Sequence, residues 1–124
     1  MNNADRTLAG VAAAAEGILL VENAPLPLIV ASPDGRISLA NRAMRDLLGF
    51  EATAPVGQPI VDLLVEEPDA EGWWGDLLAA GAIHEIPVQL RRRDGQAVPA
   101  GFSALVVTGE GGAAAWVVAR ATPV

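Results

Sequence analysis

The sequence predicts an α+β domain: two strands, then short helices, then three strands, closing a five-stranded antiparallel sheet. Three observations carry that reading. Leu26 to Phe50 runs as strand, tight turn, strand and capped helix. Glu51 to Ala80 joins a proline-bearing loop to apolar residues at helical spacing. Ile83 to Ala121 reads as three β-rich segments split by glycine-bearing turns.

Ahead of the sheet, Ala4 to Glu22 reads as an alanine-rich helix, because alanine has the best intrinsic helix propensity. Asn3 is placed to cap it, and Asp5 suits the positive end of its dipole. Leu8, Val11, Ala15 and Ile18 make one apolar stripe, widened by Ala12 and Leu19. Gly10 and Gly17 weaken the helix, so it needs packing to persist. Asn23-Ala24-Pro25 stops it. Residues 1–22 are read as a flanking dimerisation helix and residues 23–124 as the domain proper.

Leu28, Ile29 and Val30 form the first strand, with β-branched members that suit a pleated surface. Pro33-Asp34-Gly35 turns the chain: proline presets φ, and glycine accepts the positive φ of many tight turns. Ile37 and Leu39 alternate with Arg36 and Ser38, the period of a half-buried strand. Asn41 can cap the next helix; Met44, Leu47 and Leu48 give that helix its apolar side, and Gly49 can close it. Glu51 to Pro59 is loop, and Ile60 to Leu64 allow one helical turn. Pro68-Asp69 starts a longer helix to about Ala80, with Trp73, Leu77 and Leu78 inward and Gly81 as its stop. The strands Ile83–Arg92, Ala97–Thr108 and Ala113–Ala121 follow, joined through Asp94-Gly95 and Gly109-Glu110-Gly111-Gly112.

Alternation sorts the last strands into two faces. Ile86, Val88 and Leu90, with Val98, Ala100, Phe102 and Ala104, should meet the helices; His84 shares their parity, which puts it at the rim of any pocket there. The opposite face carries Leu105, Val107, Trp116 and Val118, too apolar to be left in water. The N-terminal stripe is the available cover, from the same chain, a second copy or both.

Composition narrows the function. At 124 residues the chain is one domain, large enough to bury a core. Eight basic against 15 acidic residues give a net charge of −7, which disfavours nucleic acid and anionic membrane surfaces as partners. Arg91-Arg92-Arg93, the one basic run, reads as a solvated strand end. No apolar stretch reaches the length of a membrane span, and the N-terminus lacks the basic start of a signal peptide, so a cytoplasmic location is expected. The chain has no Cys and no Tyr, and His84 is its single histidine. Ser38 and Ser103 lack a nucleophile-elbow setting, the glycines form no phosphate-binding pattern, and no metal-ligand spacing appears. The cluster Glu66, Glu67, Asp69 and Glu71 reads as acidic residues favoured at a helix start.

An ordered set of short motifs resembles the PAS domain. Asp34-Gly35-Arg36-Ile37, Ala40-Asn41 and Leu47-Leu48-Gly49-Phe50 are similar to its first hairpin and helix. Val56-Gly57-Gln58-Pro59-Ile60 with Asp62-Leu63 resembles its glycine-led short helices, Glu67-Pro68-Asp69 its segment before the longer helix, and Val88 to Gly95 its third strand and turn. The resemblance covers Asn23 to Arg120. It implies signal sensing and dimerisation for a regulator such as a histidine kinase of a two-component system, a nucleotide cyclase or a transcription regulator, with a downstream effector domain or partner protein. The pocket it implies would be lined by Phe50, Trp73, Leu77, His84, Ile86, Val88, Leu90, Ala100, Phe102 and Ala104 and would take a small apolar ligand or be filled by packing. The dimer interface would use Leu8, Val11, Ala15, Ile18, Leu105, Val107, Trp116 and Val118. Haem-binding relatives present a histidine from the long helix, which here offers none; adduct-forming flavin relatives need a cysteine that the chain lacks, and Leu90 and small apolar residues stand where such relatives aim polar side chains at a flavin ring. No haem, flavin or metal cofactor is therefore expected. At the end of the last strand only Arg120 matches the family's Arg-Asp-Ile-Thr-like signature. From another class, a small cone-shaped α+β enzyme using a buried carboxylate such as Asp62 remains open, as does a purely structural dimerisation domain.

Overall fold

A computed structural model of the chain describes residues 20–51, 55–65 and 70–124. Residues 20–23 are helical and lead into β1 (Leu28–Ala31) and β2 (Ile37–Ala40). Helix α1 (Arg42–Leu48), a 3-10 turn at Ile60–Leu63 and helix α2 (Ala70–Ala80) come next, then β3 (Ala82–Arg91), β4 (Ala97–Thr108) and β5 (Ala114–Pro123). The five strands form one antiparallel sheet in the order β2-β1-β5-β4-β3. The last strand thus enters the middle of the sheet, between the first and the fourth.

Asn41 ties the N-terminal half together. It is fully buried, and its Oδ1 accepts both the Met44 N–H, capping α1, at 3.0 Å and the Leu28 N–H at 2.9 Å. Its Nδ2 donates to the Val21 and Leu26 carbonyls, each at 2.8 Å. All four hydrogen-bonding positions of the amide are used, which is what a buried polar side chain requires. At the other end of α1, Gly49 has φ 76°, the left-handed closure expected of a helix-ending glycine. Arg92 completes that end: its guanidinium donates to the Leu47 carbonyl at 2.6 Å, and the Arg93 N–H donates to Leu48 at 2.8 Å. The arginine run is therefore more than a solvated strand end, since Arg92 satisfies a helix carbonyl.

The core lies between the sheet and the helices. Ile29, Ile37, Met44, Leu48, Ile60, Leu63, Trp74, Leu77, Leu90, Phe102 and Val117 are its buried large side chains. The two tryptophans of α2 both pack inward, where helical spacing had singled out Trp73 alone. Trp73 sits half-buried with its ring centroid 5.8 Å from that of Phe102. Trp74 is the more buried of the two and donates its indole N–H to the Pro33 carbonyl at 2.9 Å. Gly35 lies against this indole at φ 86°, the left-handed conformation that favours glycine in the turn.

Strand boundaries shift by a residue or two from the expected ones, with β5 running on to Pro123. The expected residues 4–19 of the N-terminal helix, and the acidic residues 66–69, lie outside the described residues.

Candidate functional site

Two places gather the side chains singled out in the sequence. The first is internal. Ile29, Met44, Ile60, Leu63, Leu64, Trp73, Leu90 and Phe102 surround a cavity of about 10 Å³ between the helices and the sheet. That is room for about one water, and an entirely apolar lining gives a water no partners. Trp73 on α2 is tilted by 51° against Phe102 on β4.

The expected pocket residues divide around this cavity. Trp73, Leu90 and Phe102 line it. Ala100, Ala104 and Leu77 are buried in the core without lining it; Phe50, Ile86 and Val88 are half-buried against its margin. Ile29, Met44, Ile60, Leu63 and Leu64 line it and were not on the expected list. Met44 was read on the apolar side of its helix, but a four-residue apolar strand and a single 3-10 turn carry too little periodicity to say which way Ile29, Ile60, Leu63 and Leu64 face.

His84 is displaced from its expected position. The pairing of β3 with β4 shifts register between Ile83 and Ile86, so that His84 and Glu85 together oppose Ser103. Such a bulge reverses the parity of everything before it. Ile83 takes the inward place and His84 is exposed, next to Ser103, Leu105, Val118 and Arg120 on the other side of the sheet. Asp62, the carboxylate of the enzyme alternative, is exposed on the 3-10 turn and not buried as that reading required. No cluster of metal-ligating side chains occurs among the described residues.

The second place is the outer face of the sheet. Leu105 pairs across the strands with Val118, and Val107 with Trp116. Leu105, Val107 and Trp116 are 57%, 39% and 48% exposed, which makes this a continuous apolar ridge in solvent. Leu8, Val11, Ala15 and Ile18, the stripe expected to cover it, lie outside the described residues. Beside the ridge, Arg120 binds Glu85 at 3.1 Å.

The start of the domain is clamped electrostatically. Arg45 reaches both carboxylate oxygens of Glu22, at 2.6 and 3.1 Å, and also donates to the Ala40 carbonyl at 2.8 Å. The hydrogen bond from Arg45 holds the Glu22 carboxyl below its ordinary range, against a smaller opposing effect of burial, and raises Arg45 in turn. In the first turn, Ser32 and the Arg36 N–H hydrogen-bond Asp34 and lower its carboxyl as well.

The sequence matches the family model described as the PAS fold over residues 16–122. A search among curated proteins gave no match. Solved structures of the same fold include the PAS domain of an HTR-like protein from Haloarcula marismortui, 21% identical with a TM-score of 0.74, covering 98% of this chain and 100% of that one. A PAS domain from a two-component sensor histidine kinase superposes with a TM-score of 0.78 at 10% identity, covering 93% and 99%. An RNA-binding light-oxygen-voltage receptor is 25% identical with a TM-score of 0.74, over 90% of this chain and 34% of that one.

Proposed function

This chain belongs to the PAS family, and we propose that it is the signal-input and dimerisation module of a bacterial-type regulatory protein. The candidate regulators are a histidine kinase, a nucleotide cyclase and a transcription regulator. The observation that carries this reading is the exposed ridge Leu105, Val107, Trp116 on the outer sheet face. Apolar surface of this kind on a sheet marks a place where protein covers protein. We assign it to a second copy of the chain, related by a two-fold axis and assisted by the stripe Leu8, Val11, Ala15 and Ile18. Trp116 is the anchor, because large aromatic side chains dominate the centres of such interfaces.

Signalling would then be a shift between two arrangements of sheet and flanking helix, with no bond made or broken. A small apolar ligand would enter between α2 and the sheet by displacing Trp73 from Phe102. A second reading is favoured by the cavity of about 10 Å³: a core already filled by its own side chains, in a domain that dimerises and transmits without a ligand. Native mass spectrometry of freshly purified protein separates the two. A dimer with an added small-molecule mass supports the ligand-sensing form. A dimer of bare chains supports the filled core. A monomer at all concentrations overturns the interface.

A further inference from the structure

Glu85 is the one non-glycine residue with positive φ among the described residues, at φ 50°. Side chains bearing a Cβ avoid that region, so something must hold Glu85 there. Three groups do. Its N–H donates to the Ser103 hydroxyl at 2.9 Å. Its Oε1 accepts from that hydroxyl at 3.3 Å and from the Arg120 guanidinium at 3.1 Å. Gly101 leaves the space the carboxylate occupies, for a Cβ there would stand 2.7 Å from Glu85 Oε2.

The alternative to this bulge is a definite structure. From Ile86 opposite Phe102 onward, β3 and β4 pair regularly, whereas before the bulge Ala82 faces Leu105 and Ile83 faces Ala104. Without the bulge, strict alternation would place His84 opposite Ala104 and Ile83 opposite Leu105. His84 would turn toward the core and Ile83 would join the outer ridge beside Leu105. Gly81, with φ 83° between α2 and β3, is the residue best able to absorb the one-residue shift.

We propose that the start of β3 has two registers against β4, and that the Glu85–Arg120 contact selects the bulged one. The contact is a latch. Its release exchanges Ile83 for His84 on the inner face and enlarges the apolar outer face by one isoleucine. Because Ile86 pairs with Phe102, which packs on Trp73, the latch links the packing of the core to Arg120 near the end of β5. This inference holds whichever regulator the domain serves.

The chain has no cysteine, so introduced pairs report the register directly. Ala82→Cys with Leu105→Cys closes a disulfide in the bulged register, and Ile83→Cys with Leu105→Cys closes one in the regular register. In the otherwise unaltered chain the first pair should close readily and the second slowly. Adding Glu85→Ala or Arg120→Gln should speed closure of the second pair by about two- to fivefold, the range an exposed charge pair supplies, in proportion to the population of the shifted register. Glu85→Gly should not, because glycine accepts the positive φ and keeps the bulge without the latch. Exchange of the residue-85 amide in Arg120→Gln alone, followed by NMR, should quicken by a comparable factor, and this measurement needs no core cysteine. Closure and amide exchange that are both unchanged by Arg120→Gln would overturn the proposal.

Discussion

Replacing Leu90 by Ala tests the inner face of the sheet. Leu90 is 2% exposed and stands on β3 opposite Val98, with Leu64 bridging to it from the 3-10 turn. The change removes three carbons, at about 0.8 kcal/mol for each buried methylene-sized group, so transfer alone costs roughly 2.4 kcal/mol. A cavity term adds to this, because the neighbours relax only in part. Here Ile29, Met44, Trp73 and Phe102 are held from three sides by the sheet, α1 and α2. The total should fall at about 3–4 kcal/mol, inside the usual span of about 2–5 for buried leucines. With a urea dependence of about 2 kcal/mol per molar, the unfolding midpoint should drop by roughly 1.5–2 M with an unchanged slope. The enlarged space would be dry and apolar, so saturating benzene should restore part of the loss. Val88→Ala, at a half-buried neighbour on the same face, should cost clearly less. A Leu90→Ala midpoint equal to that of the unaltered chain would refute both the parity of β3 and the location of the cavity.

Two other sites give independent checks. Asn41→Asp keeps the shape of the cap but turns its donor edge into an acceptor facing the Val21 and Leu26 carbonyls; a loss of at least about 2 kcal/mol by chemical denaturation is expected, and a loss below about 0.5 would mean the amide is not the hub described. The Glu22–Arg45 pair should contribute up to about 0.5 kcal/mol, since Glu22 remains one-third exposed. The folded-state carboxyl is depressed, so that contribution is complete above the unfolded glutamate range and is lost as pH falls through the folded value. Melts of the unaltered chain and of Glu22→Gln should therefore differ at about pH 6 and converge toward about pH 3, whereas a gap that widens in acid would contradict the assignment.

Local chemistry made much of the fold legible. Asn41 and Gly49 bracket α1 because a side-chain acceptor and a left-handed glycine satisfy the two ends of any short helix, wherever it packs. The alternation of Ile86, Val88, Leu90 and of Ala100, Phe102, Ala104 set the faces of β3 and β4, because a single buried side enforces period two. Sequence alternation failed at His84, where one extra residue in the strand reversed the parity. That bulge is held by Ser103, Gly101 and Arg120, residues distant in the chain, so no local pattern announces it. Trp74 was passed over because helical spacing favoured Trp73, and only the contact with Pro33 and Gly35, a turn far upstream, draws the second indole inward. The cavity was the least legible feature of all. Its volume is a difference between large packed volumes, and neither the residue types nor their order determines it.

The outer face of the sheet, proposed above as an interface between copies of this chain, is anchored in that reading by Trp116. Light scattering on the intact chain over a wide concentration range, beside Trp116→Glu and a form lacking residues Met1 to Glu22, tests it most directly. A dimeric mass is expected for the intact chain and a monomer or nonspecific aggregate for both variants, since a carboxylate cannot be buried unpaired at the centre of an apolar contact. An intact chain that stays monomeric at high concentration, or a Trp116→Glu chain that remains a tight dimer, would contradict it.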